Sequence, residues 1–328
     1  MASLPKSFTT VLALILPIMV KYYQMRICDQ LDRETKNLNQ TKGNQDILVF
    51  ARVPKTASLT VNSILSSLKD SHGYRVLSNL DGMLLARSDQ EYLFEPDPQQ
   101  RQRNILALVN YPERPFVYTR HQTFWDFSEF KLEQHQPTYF SFVRDPVDRV
   151  ISWYYYLRSA TYQLSEDGAK IDSVISVRAL KESLEDCVLL KRPECQFVSG
   201  MPIFTNIANS HSSQLAFFCG HSPACNSFES QELFARAVEN FHNYFSVVGV
   251  TEHFNQSLKV LEAFLPRYFE GASNLSASTD VTTNTNHFKP KVSADVRALI
   301  ANNMSKEIEF YHMAKQRLFK QYNSLKKF

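Results

Sequence analysis

The chain has 328 residues, enough for one large α/β domain with a tail or for two smaller domains, and its 44% hydrophobic against 21% charged residues excludes global disorder. A net charge of +3 is too small to make the whole surface an anion trap. An anionic ligand has to be met by local clusters, and no nucleic-acid partner is expected.

Phe8 to Val20 is an apolar stretch with Lys6 before it and Lys21 and Arg26 after it. It is short for a bilayer span of about 20 residues, but Tyr22 and Tyr23 extend it into the interface. No small-x-small cleavage site follows, so about residues 7–23 read as an uncleaved signal-anchor, with a buried N-terminal helix as the alternative. Asp29 to Gln45 is polar and lacks apolar periodicity, as a stem does. Residues 1–45 are thus read as tail, anchor and stem, and 46–328 as the folded domain. Asn39, Asn255, Asn274 and Asn303 each open an N-x-[ST] sequon, which agrees with a secretory route. Of the five cysteines, Cys28 lies beside the apolar segment, while Cys187/Cys195 and Cys219/Cys225 are close-spaced pairs without C-x₂-C spacing. Two local disulfides fit that pattern, and four buried free thiols remain the alternative.

The folded part opens with Ile47 to Ala51, a continuous apolar run of the kind that makes a buried parallel strand. A loop rich in small and hydroxyl residues, Arg52 to Ser58, leads to Val61, Ile64, Leu65 and Leu68 at helical spacing. Strand, tight loop with Lys55, then helix is how a fold builds an anion cradle from backbone N–H groups and the helix dipole. The glycines of GxxxxGK[ST] are absent, GxGxxG occurs nowhere, and only 8 glycines are present in all. Further strands are expected at Tyr74 to Ser78, Phe116 to Tyr118, Thr138 to Val143 and Tyr244 to Val250. Helices are expected at Gln90 to Leu108, after Pro146, and at Leu180 to Leu190, Glu229 to Asn240, Asn255 to Leu265 and Ser293 to Phe319. This alternation predicts a mostly parallel sheet covered on both faces.

Two further candidates lie at strand ends. Arg144 closes the Thr138–Val143 strand, and Ser152 follows two turns along the next helix. The guanidinium fork suits phosphate oxygens, although a structural pair with Asp148 would also explain Arg144. His121 follows the Phe116 strand and precedes a Phe-Trp-Asp-Phe run that anchors the backbone; imidazole can take a proton from a hydroxyl at neutral pH. No HExxH or comparable ligand set occurs, and no metal is predicted.

R-V-P-K-T-A-S (Arg52 to Ser58), T-R-H (Thr119 to His121), R-D-P-V-D-R (Arg144 to Arg149) with Ser152, and F-C-G-H (Phe218 to His221) occur in this order. V-G-V-T-E (Val248 to Glu252), L-P-R-Y-F (Leu265 to Phe269) and E-F-Y-H (Glu309 to His312) follow. Together they resemble the glycosaminoglycan 2-O-sulfotransferases, which include heparan sulfate 2-O-sulfotransferase, uronyl 2-sulfotransferase and the pipe-type proteins. The resemblance implies a P-loop-NTPase-like α/β sulfotransferase fold and 3′-phosphoadenylyl sulfate (PAPS) as donor. It also implies an anionic polysaccharide acceptor, a single-pass type II Golgi membrane protein with a luminal catalytic domain, and a homotrimer. By the same resemblance Lys55 contacts the phosphosulfate bridge, and Thr56, Ala57, Ser58, Leu59 and Thr60 offer donors to the 5′-phosphosulfate. Arg144 and Ser152 hold the 3′-phosphate, His121 is the general base on a uronic acid 2-hydroxyl, and Arg52, Arg120 and Arg158 serve the acceptor. It pairs Cys187 with Cys195 and Cys219 with Cys225.

Two departures stand out. Thr119-Arg120-His121 keeps only the second histidine of the heparan-type His-x-His, as the uronyl branch does, and the segment after Ser152 reads W-Y-Y-Y-L-R-S-A rather than running into R-F-G-D. V-P-K-T-A-S is closer to the heparan form. The Ser273–Lys291 loop is expected to close over the nucleotide, without individual assignments. The rival readings are a catalytically silent glycan-binding protein of the same fold and, disfavoured by the missing Walker glycines and acidic metal ligands, a small-metabolite kinase.

Overall fold

The computed structural model describes residues 42–77, 94–159, 181–204, 213–278 and 289–325. The expected anchor, most of the stem, Cys28, Asn39, Ser78 and the start of the Gln90 helix lie outside them. Among the described residues no helix is long and apolar enough to cross a membrane. Five strands, β1 (Asn44–Ala51), β2 (Arg75–Leu77), β3 (Phe116–Arg120), β4 (Pro137–Val143) and β5 (Phe245–Val250), form one parallel sheet in the order β2-β3-β1-β4-β5. Every expected strand is present.

The sheet is covered on both faces, which is why its central strands read as unbroken apolar runs: Ile47 to Ala51 and all of β4 are buried. Phe50 of β1 stacks on Phe140 of β4 at 4.4 Å between ring centroids. On β5, a Cβ at Gly249 would stand 2.5 Å from the Phe142 ring, so only glycine lets that ring lie against the strand. The chain leaves β1 toward one side of the sheet and β4 toward the other, and ligands gather at such a reversal, outside the carboxyl ends of the strands. In register, Ala51 lies beside Arg120 on one flank and Ser141 on the other. The residues that follow β1, β3 and β4 therefore emerge at one edge.

Helix α1 (Ser58–His72) follows the loop after β1, and α2 (Pro98–Val109) precedes β3. The α2 start is later than the periodicity suggests because Asp97 caps it, accepting from Gln99 N at 3.0 Å, with Pro98 in its first turn. After β4 come α3 (Pro146–Leu157), α4 (Leu184–Leu189), α5 (Leu215–Cys219) and α6 (Gln231–Asn243). Ser183 and Ser230 cap α4 and α6 and so set their starts. Past β5 lie α7 (Phe254–Phe264), α8 (Pro266–Phe269), α9 (Ala272–Ser278), α10 (Ala294–Asn302) and α11 (Ser305–Ser324).

The expected single helix from Ser293 to Phe319 is thus two helices. The break falls at the wholly buried Met304, with φ −129° and ψ 38°. The new N-terminus is capped from far along the chain: Glu229 accepts from Lys306 N at 2.9 Å and Glu307 N at 3.0 Å. Both disulfides, Cys187–Cys195 and Cys219–Cys225, are formed, which sets aside the free-thiol alternative. Asn255, Asn274 and Asn303 are exposed.

Candidate active site

The cradle begins where β1 ends. The Ala51 carbonyl accepts from Ser141 Oγ at 2.6 Å, and Thr56 Oγ1 donates to Val53 O at 2.8 Å, closing the loop on itself. Lys55 (φ 65°) and Ala57 (φ 62°) adopt the left-handed conformation, which costs a non-glycine residue about 1–2 kcal/mol. This strain turns the chain from strand to helix without the Walker glycines. Ala57 is the N-cap of α1 and offers no side-chain acceptor; the first helical bond runs from Val61 N to Ala57 O at 3.1 Å. The N–H groups of Ser58, Leu59 and Thr60 in that first turn are thereby left to an anion, at the positive end of the helix dipole. Thr56 is wholly buried with its hydroxyl committed to the loop, so it can offer a ligand only its backbone.

Lys55 stands among cations. Burial, then Arg144 and Lys289, hold its ammonium below the ordinary lysine range, at about 8. Its Nζ lies 4.0 Å from the centroid of the Tyr156 ring, on α3. Arg144 Nη1 donates to the Lys55 carbonyl at 3.3 Å. The alternative pairing of Arg144 with Asp148 is not formed, because Asp148 pairs with Arg297 at 2.8 Å. The Arg144 backbone is gripped from both sides by Gln214, whose Oε1 accepts from Arg144 N (3.2 Å) and whose Nε2 donates to Arg144 O (3.0 Å). Gln214 N in turn donates to the buried Glu307 carboxylate, as do Ser213 Oγ and Leu215 N. Burial pushes Glu307 up to about 7. Next to Arg144, Asp145 N donates to Glu252 Oε1 at 2.9 Å, while Asp145 Oδ1 caps α3 by accepting from Asp148 N. Ser152 lies half-buried on α3.

His121 leaves the end of β3 beside the cradle. Arg52 N donates to Arg120 O at 3.1 Å, and His121 Nδ1 lies 2.8 Å from the Arg52 carbonyl. A carbonyl only accepts, so Nδ1 carries the hydrogen and the lone pair of the neutral ring is on Nε2. Burial first, then the charges of Arg52, Lys55 and Arg120, hold the imidazole down at about 3, although its bond to the Arg52 carbonyl works the other way. The residues after it are clamped. Phe124 N donates to Phe217 O at 2.9 Å, and Phe124, Trp125 and Phe127 are buried. His221 Nδ1 accepts from Glu95 N at 2.9 Å, which leaves its Nε2–H to donate to Thr123 Oγ1 at 3.0 Å. Gly220 passes so near that a Cβ would stand 3.2 Å from the Phe124 carbonyl, and its φ of 102° disfavours any other residue. The Phe218–His221 motif thus acts as a clamp on the His121 segment, and the Cys219–Cys225 disulfide closes it.

The fold therefore brings Lys55, Arg144 and His121 to one edge, with Arg52 and Arg120 alongside. Arg158 is committed elsewhere: its guanidinium lies 3.5 Å from the Tyr154 ring centroid and 3.7 Å from Glu194, and its side chain is 5% exposed. An acceptor could reach it only by displacing those contacts. The sequence reading missed Gln214, Lys289 and Tyr156. Lys289 stands in a basic stretch, His-Phe-Lys-Pro-Lys, which was the available signal; a buried glutamine carries none.

A strand-loop-helix cradle, a cluster of cations and one neutral imidazole at the carboxyl edge of a parallel sheet define an anion-handling α/β protein. Residues 40–314 match the sulfotransferase family, and the chain belongs to that family. It is 32% identical over 296 residues to the Uronyl 2-sulfotransferase homolog pip of Drosophila melanogaster, covering 88% of this chain and 55% of that protein. It is 28% identical over 279 residues to the Heparan sulfate 2-O-sulfotransferase 1 of Xenopus laevis (83% and 70%). With the Uronyl 2-sulfotransferase of Homo sapiens it shares 26% over 276 residues (82% and 61%). The chain thus spans little more than half the length of the Drosophila relative.

Proposed function

We propose that this protein transfers a sulfuryl group from PAPS to the 2-hydroxyl of a uronic acid in a glycosaminoglycan or related anionic glycan. The observation that carries the reading is that His121, its Nδ1–H fixed on the Arg52 carbonyl, lies near enough to Lys55, just before the uncapped start of α1, to feel its charge. The donor supplies the activated sulfuryl group. The first-turn N–H groups of α1, from Ser58 to Thr60, and the backbone of Thr56 and Ala57 bind its 5′ end, while Arg144 and Ser152 hold the 3′-phosphate. Lys55 stabilises charge on the leaving phosphate, and His121 Nε2 takes the proton of the 2-hydroxyl. Arg52 and Arg120 meet the acceptor carboxylate. Anionic groups arriving among these cations offset the charge that depresses His121, so the base strengthens when the site fills. The names of the relatives support a uronic acid acceptor, and Thr119 in place of a first histidine favours the uronyl branch. The reading extends to a Golgi membrane location through the N-terminal anchor, with a luminal catalytic domain assembled as a homotrimer.

The test incubates the soluble domain with labelled PAPS and a panel of desulfated polysaccharides, followed by disaccharide analysis. Label at the uronic acid 2-position is expected. Binding of the desulfo nucleotide without transfer to any acceptor would reject the enzymatic reading.

A further inference from the structure

Among the described residues Lys55 has no carboxylate partner: its charged neighbours are Arg144 and Lys289, with the neutral His121 beside them, and none of these can balance an ammonium. The group that does face it is the ring of Tyr156, with Nζ 4.0 Å from the centroid, well inside the range in which a ring quadrupole attracts a cation. Tyr156 is placed to matter for the site as a whole. It lies one helical turn beyond Ser152, so the two share a face of α3, the helix that Arg144 and Asp145 introduce. Ser152 and Tyr156 are both half-buried on a helix whose other residues are mostly buried.

We propose that Tyr156 is a positioning residue for Lys55: its ring holds the ammonium at the mouth of the cradle until an anion on α1 takes it over. The inference rests on the sulfotransferase reading for its catalytic meaning, but not for the contact itself. Without the ring, Lys55 keeps its cationic neighbours and loses the one group among the described residues that favours its charged form, so more of it becomes free amine at a given pH. An aromatic ring with an electron-rich face, such as phenylalanine, suffices at 156, because the π face and not the hydroxyl makes the contact.

The test reads Lys55 directly, by trace acetic anhydride labelling and mass spectrometry across pH 6–9, in the full chain and in Tyr156→Phe and Tyr156→Leu. The labelling of Lys55 at pH 6 is expected to rise roughly three- to thirty-fold in Tyr156→Leu and to stay near the parent value in Tyr156→Phe. In the transfer assay the alkaline limb of kcat/KM, which reports the free protein, then moves to lower pH in the leucine variant and not in the phenylalanine variant. Incorporating pentafluorophenylalanine at position 156 keeps the ring shape while reversing the face potential, so it should behave as leucine even if the leucine chain folds poorly. Equal labelling in the Phe, Leu and fluorinated chains overturns the proposal. If the parent transfers sulfate to no acceptor but the labelling differs as stated, the contact stands and the sulfotransferase reading falls. The reverse pattern sinks the contact alone.

Discussion

Replacing His121 by alanine tests the chemistry most directly. The imidazole is neutral with its lone pair on Nε2, so in the proposed mechanism its removal takes away the proton acceptor, while the Arg144 contact to the Lys55 carbonyl does not involve it. Loss of a positioned general base lowers turnover by about 10²–10⁴-fold, which is roughly 3–5 kcal/mol of transition-state stabilisation. The structural cost is much smaller, about 1 kcal/mol for the bond to the Arg52 carbonyl, so the variant should fold and be secreted. Labelled-PAPS transfer measures the first quantity, and calorimetry with the desulfo nucleotide should give an affinity within threefold of the parent. The pH profile adds a second check. Because the folded imidazole is held at about 3, below its ordinary 6.5, the base is already deprotonated at pH 6. The acid limb of kcat/KM, which reports the free protein, is expected below pH 6.5. Turnover of His121→Ala within tenfold of the parent would refute the base assignment, and so would a kcat/KM limb at or above 6.5 that belongs to this residue.

Ala57→Asp sets a carboxylate at the uncapped start of α1, and donor affinity by calorimetry should fall at least tenfold through repulsion. Gln214→Leu removes both hydrogen bonds to the Arg144 backbone. Its KM for the donor should rise several-fold, and thermal or denaturant unfolding should show a loss of about 1–3 kcal/mol from the buried groups left unpaired. His221 is buried and neutral, its folded value near 3 lying below the unfolded 6.5. The unfolded chain therefore binds a proton first, and stability falls as pH drops from 6.5 toward 3. At pH 5 this term is roughly 2 kcal/mol, and unfolding curves of His221→Gln should be flatter over pH 7–5.

The sequence by itself determined the sheet, because strands buried on both faces must be apolar throughout, and Ile47 to Ala51, Thr138 to Val143 and Tyr244 to Val250 stand out against any helical pattern. It also determined the first cradle. A strand, a Lys-Thr-Ala-Ser loop and a helix are contiguous, so local chemistry alone says where an anion would sit. Helix ends were less legible where the cap is remote. The break at Met304 depends on Glu229, 75 residues upstream in the chain, and no periodicity in the Ser293–Phe319 segment announces it. What only the tertiary structure decided is how the separate candidates are arranged. The strand order puts His121 and Arg144 on either side of Lys55. The Arg52 carbonyl chooses the histidine tautomer, and Gln214 aims Arg144. Tyr156 sets its ring face 4.0 Å from the Lys55 ammonium. Each of these is a contact between residues far apart in sequence, where burial and dielectric, rather than residue type, fix the charge and proton position.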